Sequence, residues 1–275
     1  MNNPQINATT FSNLTDAELQ LINESPLESY LKVLIAHRVN GRQADCVYGY
    51  GVNDLKHIKG ESLTAAYRRW ADMLKRCYCL PRLLKQPTYV FKTVCPRWLT
   101  YSQFKAHYLA TSAKLAQVGI DIADLELDSD ALADGQHEHN YSPETSIYMP
   151  KVINNQLAGL TIQRGNNGLP VGVGRKRGKY RSQINQYNWE DGSSKVVHLG
   201  YYDTPEQAHE VYLTAMLNKL SDLRKQFTAD SMYYQCLVAQ GKQQAYFSML
   251  PFSRSELKTI YNYQYFFEEF YQTHY

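Results

Sequence analysis

The stretch "GRKRGKYRSQI", Gly174 to Ile184, decides how this chain is read. Five of the seven positions from 175 to 181 are basic: Arg175, Lys176, Arg177, Lys179 and Arg181. From Lys179 onward, Tyr180, Ser182 and Ile184 interleave Lys179, Arg181 and Gln183, which is the period of a strand with one buried face. Downstream, "KVVHLGYYD" from Lys195 reads as another strand. The turn "WEDGSS" separates the two, and its Asp191-Gly192 pair is a hairpin signal. "TPEQAHEVYLTAML" then opens a helix. Thr204 is its cap, Pro205 its first residue, and Gln207 completes a capping box. Ala208, Val211, Tyr212 and Ala215 form a helical stripe whose small members permit close packing on a sheet. The order strand, strand, strand, helix predicts a small antiparallel sheet backed by one helix, with Lys179, Arg181 and Gln183 on one face.

Such a face is about as wide as a DNA major groove, which admits a two-stranded ribbon. Arginine binds guanine bidentately and glutamine binds adenine, so the residue types suit base reading. Net charge is only +3, which excludes a histone-like polycation, so the charge is read in blocks. Between Thr64 and Lys114 ten basic residues face one acid, Asp72. Between Val118 and Pro150 the sign reverses: eight acids meet no Lys or Arg. From Arg164 to Gly200 the chain is basic again, opposed only by Glu190 and Asp191. Clean basic blocks point to a polyanion, because neutralising phosphates releases counterions.

A length of 275 residues argues for two domains or one with an extension. No apolar run approaches the ~20 residues of a membrane helix, so no membrane partner is expected. The first residues lack the basic-then-apolar pattern of a secretion signal. Five cysteines, an odd number without a C-x-x-C pair, argue against a disulfide framework or structural zinc, and a cytoplasmic location fits.

Toward the N-terminus, Thr15 caps a helix expected over 16–23, and a second is expected over 27–36. "YGYGVND" is a Gly-rich turn. Leu63, Ala66, Tyr67, Trp70, Met73, Leu74 and Cys77 follow helical spacing as one apolar stripe. Arg68, Arg69, Lys75 and Arg76 lie off that stripe, and Arg68, Arg69 and Arg76 make a second candidate DNA contact. Residues 98–115 read as another helix, with Phe104, Tyr108 and Leu115 inward. "LELD" and "SIYMP" are strand-like. The Gly/Asn/Pro stretch 165–170 marks a domain boundary.

The segment "GVGRKRGKYRSQI … KVVHLGYYDTPEQAHEVYLTA" resembles the ethylene-response-factor (APETALA-type) DNA-binding domain. Leu199-Gly200, Thr204, Glu206, Ala208 and Tyr212 carry the match, over about a fifth of the chain. That family reads DNA through its sheet. The resemblance therefore implies that Arg175, Arg177, Lys179, Arg181 and Gln183 contact DNA, with Lys195 on a later strand; Lys176 and His198 are further candidate contacts. His198 stands where the plant domains usually carry Trp, which bears on base choice.

A second resemblance covers Tyr48 to about Asn155, through "YGYGVND … YRRWADMLKRCY … PTYVFKTVCPRWLTYSQF … LELDSDALADG … YSPETSIYMPKVIN". It is to phage-encoded HNH-type endonuclease proteins, which often carry the same DNA-binding domain downstream. That chemistry needs a His base, an Asn holding the hairpin, and ligands for one divalent metal. The matching positions here are Asp128-Ser129, Thr145 and Asn154. Serine replaces the base, so the site is degenerate. Asp128 and Asn154 are left as candidate ligands for Mg2+, the only cofactor implied and only if the site is catalytic. His137 and His139, two apart and nearby, are candidate replacement bases.

The last segment, "SRSELKTIYNYQYFFEEFYQTHY", begins with a capping box and is dense in Tyr and Phe. A helix of this kind can stack bases, pack on the first domain or join two copies as a homo-oligomer. No basic residue follows Lys258, which points to packing. The whole predicts an α+β chain. A helical extension (1–47) precedes an HNH-like domain (48–160), then a three-stranded antiparallel sheet packed on one helix (165–227), then an aromatic helical tail (228–275). The function expected is sequence-preferring binding of double-stranded DNA on a homing-endonuclease scaffold. The alternatives are an active metal-dependent DNA endonuclease and a phage effector whose partner is a host protein.

Overall fold

The computed structural model describes residues 6–129, 140–155, 169–188, 193–225 and 231–242. The chain divides into two compact units that meet between Tyr148 and Met149. This boundary precedes the Gly/Asn/Pro stretch read from the sequence, of which residues 165–168 lie outside the described set.

The first unit is mainly helical. Thr15 caps α1 (Asp16–Glu24) with a full capping box: its side chain accepts from the Glu18 amide, and the Glu18 carboxylate accepts from the Thr15 amide. Helix α2 (Ser29–Asn40) starts two residues later than expected and runs a turn further. Ile22, Ile35, Ala36 and Val39 share one core with Leu80, Leu83 and Val90. The N-terminal helices are therefore built into the first unit rather than appended to it.

Helix α3 (Ala65–Tyr78) buries Ala66, Trp70, Met73, Leu74 and Cys77, the stripe expected from spacing. Leu63 does not belong to it. It sits in the 3-10 turn Glu61–Leu63 before the helix begins and is 76% exposed. After α4 (Leu80–Lys85) and β1 (Thr93–Val94), the single helix expected over 98–115 is two. They are α5 (Pro96–Leu99) and α6 (Tyr101–Ala116), parted at Thr100. Thr100 is extended because the chain there bridges Val52: the Val52 amide donates to Leu99 O and the Tyr101 amide donates to Val52 O. Phe104, Tyr108 and Leu115 do face inward. Trp70 and Trp98 are fully buried, tied by Trp70 Nε1 donating to Trp98 O at 2.7 Å.

Two short sheets close this unit. β1 pairs in parallel with β3 (Asn140–Tyr141), and β2 (Leu125–Asp128) pairs with β4 (Ile147–Pro150). The strand-like pieces "LELD" and "SIYMP" are thus partners.

The second unit opens with helical residues 151–155 (α7). Its centre is the antiparallel sheet β5 (Val173–Lys176), β6 (Lys179–Tyr187) and β7 (Ser194–Tyr202), in that spatial order. The predicted succession of three strands and a helix holds. Helix α8 (Pro205–Lys225) buries Ala208, Tyr212, Leu213 and Met216, while Val173, Ser182 and Ile184 are buried on the strands. The Thr204 hydroxyl accepts from the Gln207 amide at 3.2 Å, half of the expected box. Residues 189–192 of the second turn lie outside the described set. A shorter helix, α9 (Met232–Ala239), follows; the aromatic segment from Ser253 lies outside the described residues.

Candidate nucleic-acid interface

Two devices build the sheet face that points away from α8. The first is the β5–β6 turn. Lys176 pairs directly with Lys179, so only Arg177 and Gly178 connect the strands. Both have positive φ, 52° and 78°, the pattern of a type I′ turn, which matches the natural twist of a hairpin.

The second device is a β-bulge. Ser182 pairs with Gly200, but the next residue, Gln183, pairs with His198, leaving Leu199 as the extra residue on β7. Gly200 takes φ of 137°, a region closed to most side chains. His198 and Tyr201 are three apart and would lie on opposite faces of an unbroken strand. The bulge brings them to one face, with ring centroids 4.5 Å apart.

The outer face therefore reads in cross-strand rows. Arg181 lies opposite Tyr201 on one side and Gly174 on the other. Gln183 lies opposite His198, and Asn185 opposite Val196. Because Gly174 has no side chain, the Arg181 guanidinium lies across it; a Cβ there would sit 3.7 Å from Nη2. Arg181 Nε is buried and has no hydrogen-bond partner among the described residues. The three strands contain no Asp or Glu at all. Asp203, just past β7, lies 3.0 Å from Lys179 Nζ, with both side chains mostly in solvent.

Of the sequence-predicted contacts, Lys176, Lys179, Arg181, Gln183 and His198 share this face. Arg177 sits at the hairpin tip. Arg175 and Lys195 fall on the other side by alternation. Arg175 pairs across from Tyr180, lies 5.2 Å above its ring, and donates to its hydroxyl at 2.9 Å. Lys195 pairs across from Gln186 and is exposed at the far end of β7. Asn185, Val196 and Tyr201 are also on the outer face; Asn185 continues the alternation of Arg181 and Gln183, whereas Tyr201 was not legible as a member. Only the bulge puts Tyr201 there, and nothing in "HLGYY" announces an extra residue.

The arginines of α3 divide. Arg68 is exposed. Arg69 and Arg76 are turned inward, which corrects their place on a basic outer surface. Arg69 Nη2 donates to Leu125 O, and Arg76 Nη1 donates to Leu127 O and to the Tyr141 hydroxyl, each at 3.4 Å. Both thus hold the backbone of β2. Arg76 also bridges Asp72 at 2.7 Å. Burial works against its charge, but Tyr141 and Asp72 beside it keep its pKa above the ordinary arginine value.

The positions matched to the nuclease fall on separate elements. Ser129 is 1% exposed, and its hydroxyl accepts from Lys92 Nζ at 3.2 Å. The Thr145 hydroxyl donates to Asn140 O and stands 3.0 Å from Ser142 Oγ, which in turn accepts from the Glu144 and Thr145 amides. Hydroxyls thus hold the 140–146 loop where the resemblance called for an amide. Asp128 is half-buried in the first unit, and Asn154 lies on α7 in the second. His137 and His139 lie outside the described residues. Among the described residues, no group of three or more His, Cys, Asp or Glu is placed to hold a metal. No described helix is long and apolar enough to cross a membrane.

Against known proteins, the chain matches no protein-family model, no curated protein and no solved structure.

Proposed function

We propose that the outer face of the β5–β6–β7 sheet binds double-stranded DNA with sequence preference, and that the first unit lacks a competent nuclease centre. The observation that carries this reading is Arg181. It is laid over a glycine, flanked by Gln183, His198 and Tyr201, and its Nε is buried with no partner among the described residues. An unsatisfied buried donor of a charged group is costly, of order 1–3 kcal/mol, unless a ligand completes it. A guanine edge offers the two acceptors that a guanidinium fork needs. Three strands at ~4.8 Å spacing are also narrow enough for a groove roughly 12 Å wide.

The test uses the full chain and a random pool of duplex DNA, with magnesium present and the DNA checked for cuts in the same tubes. Binding falls by orders of magnitude between low and moderate salt if several phosphates are contacted. Arg181→Ala and Gln183→Ala change the selected sequence, each contact being worth about 1–3 kcal/mol, while Lys176→Ala weakens all sequences alike. The DNA stays intact, since a buried Ser129 bonded to Lys92 has no means of taking a proton from water. Flat salt dependence overturns the DNA reading in favour of a protein partner. Efficient cleavage overturns the inert first unit in favour of the endonuclease.

A further inference from the structure

Two cations of the first unit meet at one buried tyrosine. Tyr141, on β3, is 1% exposed. Arg76 Nη1 donates to its hydroxyl at 3.4 Å, and Lys92 Nζ lies 5.7 Å from its ring centroid. Lys92 also donates to Ser129 Oγ at 3.2 Å, and Ser129 is equally buried. Arginine and lysine can only donate, so each hydroxyl is the acceptor in these bonds and keeps a proton of its own to give. Burial pushes the Tyr141 pKa up, which holds that proton on the phenol. Among the described residues, neither hydroxyl proton has an acceptor. Asp72 meets Arg76 through its other terminal nitrogen, Nη2, at 2.7 Å. Glu126 and Asp128 alternate to the face of β2 away from the buried Leu125 and Leu127.

Four donor groups thus gather around the Tyr141 ring, and two of them are buried hydroxyls with a proton to place. A buried donor left without an acceptor is costly, and an ion or an ordered water removes that cost. An anion suits this spot better than water. Two cations already stand there, and a negative charge between them offsets their repulsion in the protein interior. The donors come from four separate elements: α3, the residue before β1, the end of β2, and β3. They therefore surround an acceptor rather than line one side of it, which matches an ion with acceptor atoms on every side. We infer that Arg76, Lys92, Ser129 and Tyr141 hold one small tetrahedral oxyanion, a free phosphate or the terminal phosphate of a nucleotide. Ser129 and Tyr141 form its closed end, while the half-buried Arg76 and Lys92 stand toward solvent. A DNA diester, carrying a bulky sugar on two of its oxygens, does not reach the buried hydroxyls. The site is therefore separate from the sheet and does not rest on the DNA reading.

The experiment melts the full chain in inorganic phosphate, in a nucleoside monophosphate and in chloride, all at one ionic strength. The parent melts about 3–6 °C higher in about 10 mM of the bound form than in chloride, the gain expected when a ligand stands roughly tenfold above its dissociation constant. A gain in phosphate identifies the free ion as a ligand; a gain in the nucleotide alone identifies its terminal phosphate. Ser129→Ala and Tyr141→Phe each delete a hydroxyl and keep the packing, and both lose most of the gain. Arg181→Ala keeps it, which separates the site from the basic sheet. Equilibrium dialysis reads binding without melting: Lys92→Met retains the ion on the order of tenfold more weakly than the parent, as the loss of one charged hydrogen bond predicts. No gain over chloride in either ligand overturns the site and leaves water as the partner of the two hydroxyls. A gain that survives both Ser129→Ala and Lys92→Met also overturns it, and its loss in Arg181→Ala then places the ion on the sheet.

Discussion

The described residues contain two non-glycine residues with positive φ, Tyr48 and Arg177, and each is followed by a glycine of the same sign. The two turns share a conformation and differ in everything around it. At Tyr48-Gly49 the chain is held from all sides. Val47 and Gly51 exchange amide bonds at 2.8 and 2.9 Å, and the Gln43 amide donates to Gly49 O. Arg42 lies against Gly49, and Gly51 sits against Leu74 and Trp70. At Arg177-Gly178 only the two strands hold the turn. The charges follow the same division. In the first unit, Lys105 Nζ meets the buried Glu61 carboxylate at 2.8 Å, and Tyr101 and Thr64 share its first oxygen. At the hairpin, Lys179 and Asp203 meet at 3.0 Å in solvent. One region satisfies its strain and charge internally; the other leaves both facing outward, as the proposed binding surface requires.

The largest effect that can break this comparison is on glycine. A Cβ on Gly49 would come within 2.3 Å of Arg42 Cγ and 3.0 Å of its Cα. Gly49→Ala adds a left-handed penalty of about 1–2 kcal/mol to an overpacking cost of about 1–3 kcal/mol. Gly178→Ala meets nothing and costs only the first of these. Chemical denaturation checks the order. Equal losses in the two variants would show that packing does not distinguish the turns.

The sequence made the hairpin order, the Thr15 cap and the α3 stripe legible, because each rests on local period or local capping. What it hid depends on residues far apart. Arg69 and Arg76 share their helical row with the buried Met73, while Arg68 and Lys75 share theirs with the exposed Asp72. Periodicity alone shows the stripe but not which of its edges is covered; the cover is β2, more than fifty positions away. The break at Thr100 likewise depends on Val52. On the sheet, period two located Arg181 and Gln183 correctly on one face. Arg175, a contact implied by the resemblance alone, falls on the other face because the two-residue turn sets the register from Lys176, and period two missed Tyr201 because one extra residue, Leu199, inverts the alternation on β7.

Acid separates the two regions next. Hydrogen bonds from Lys105 and from Tyr101 hold the Glu61 carboxyl below the usual glutamate range. Its folded value thus lies below its unfolded one. The stability it contributes is fully present above about pH 4.3 and is lost as pH falls through the lowered value. Glu61→Gln is less stable than the parent at neutral pH but has a shallower fall in melting temperature on acidification. Parallel acid profiles would show that the Lys105 pair contributes nothing that depends on charge.

The smallest effect belongs to the exposed pair. The Lys179 and Asp203 side chains are 55% and 80% exposed, and such pairs contribute about 0–1 kcal/mol, because water screens them and two long-range partners must be ordered. Asp203→Asn therefore leaves the melting temperature within about a degree or two. Its consequence lies in binding. Removing the carboxylate raises the positive potential at the hairpin tip, so affinity for duplex DNA rises a few-fold at low salt. The gain fades once the screening length, about 10 Å at 0.1 M, shortens toward 3 Å near 1 M. Asp203 would then act as a restraint on indiscriminate binding rather than as a structural partner. A clear drop in melting temperature would instead make the ion pair part of the fold. Unchanged affinity at low salt would place DNA beyond the field of the tip and set the hairpin apart from the binding surface.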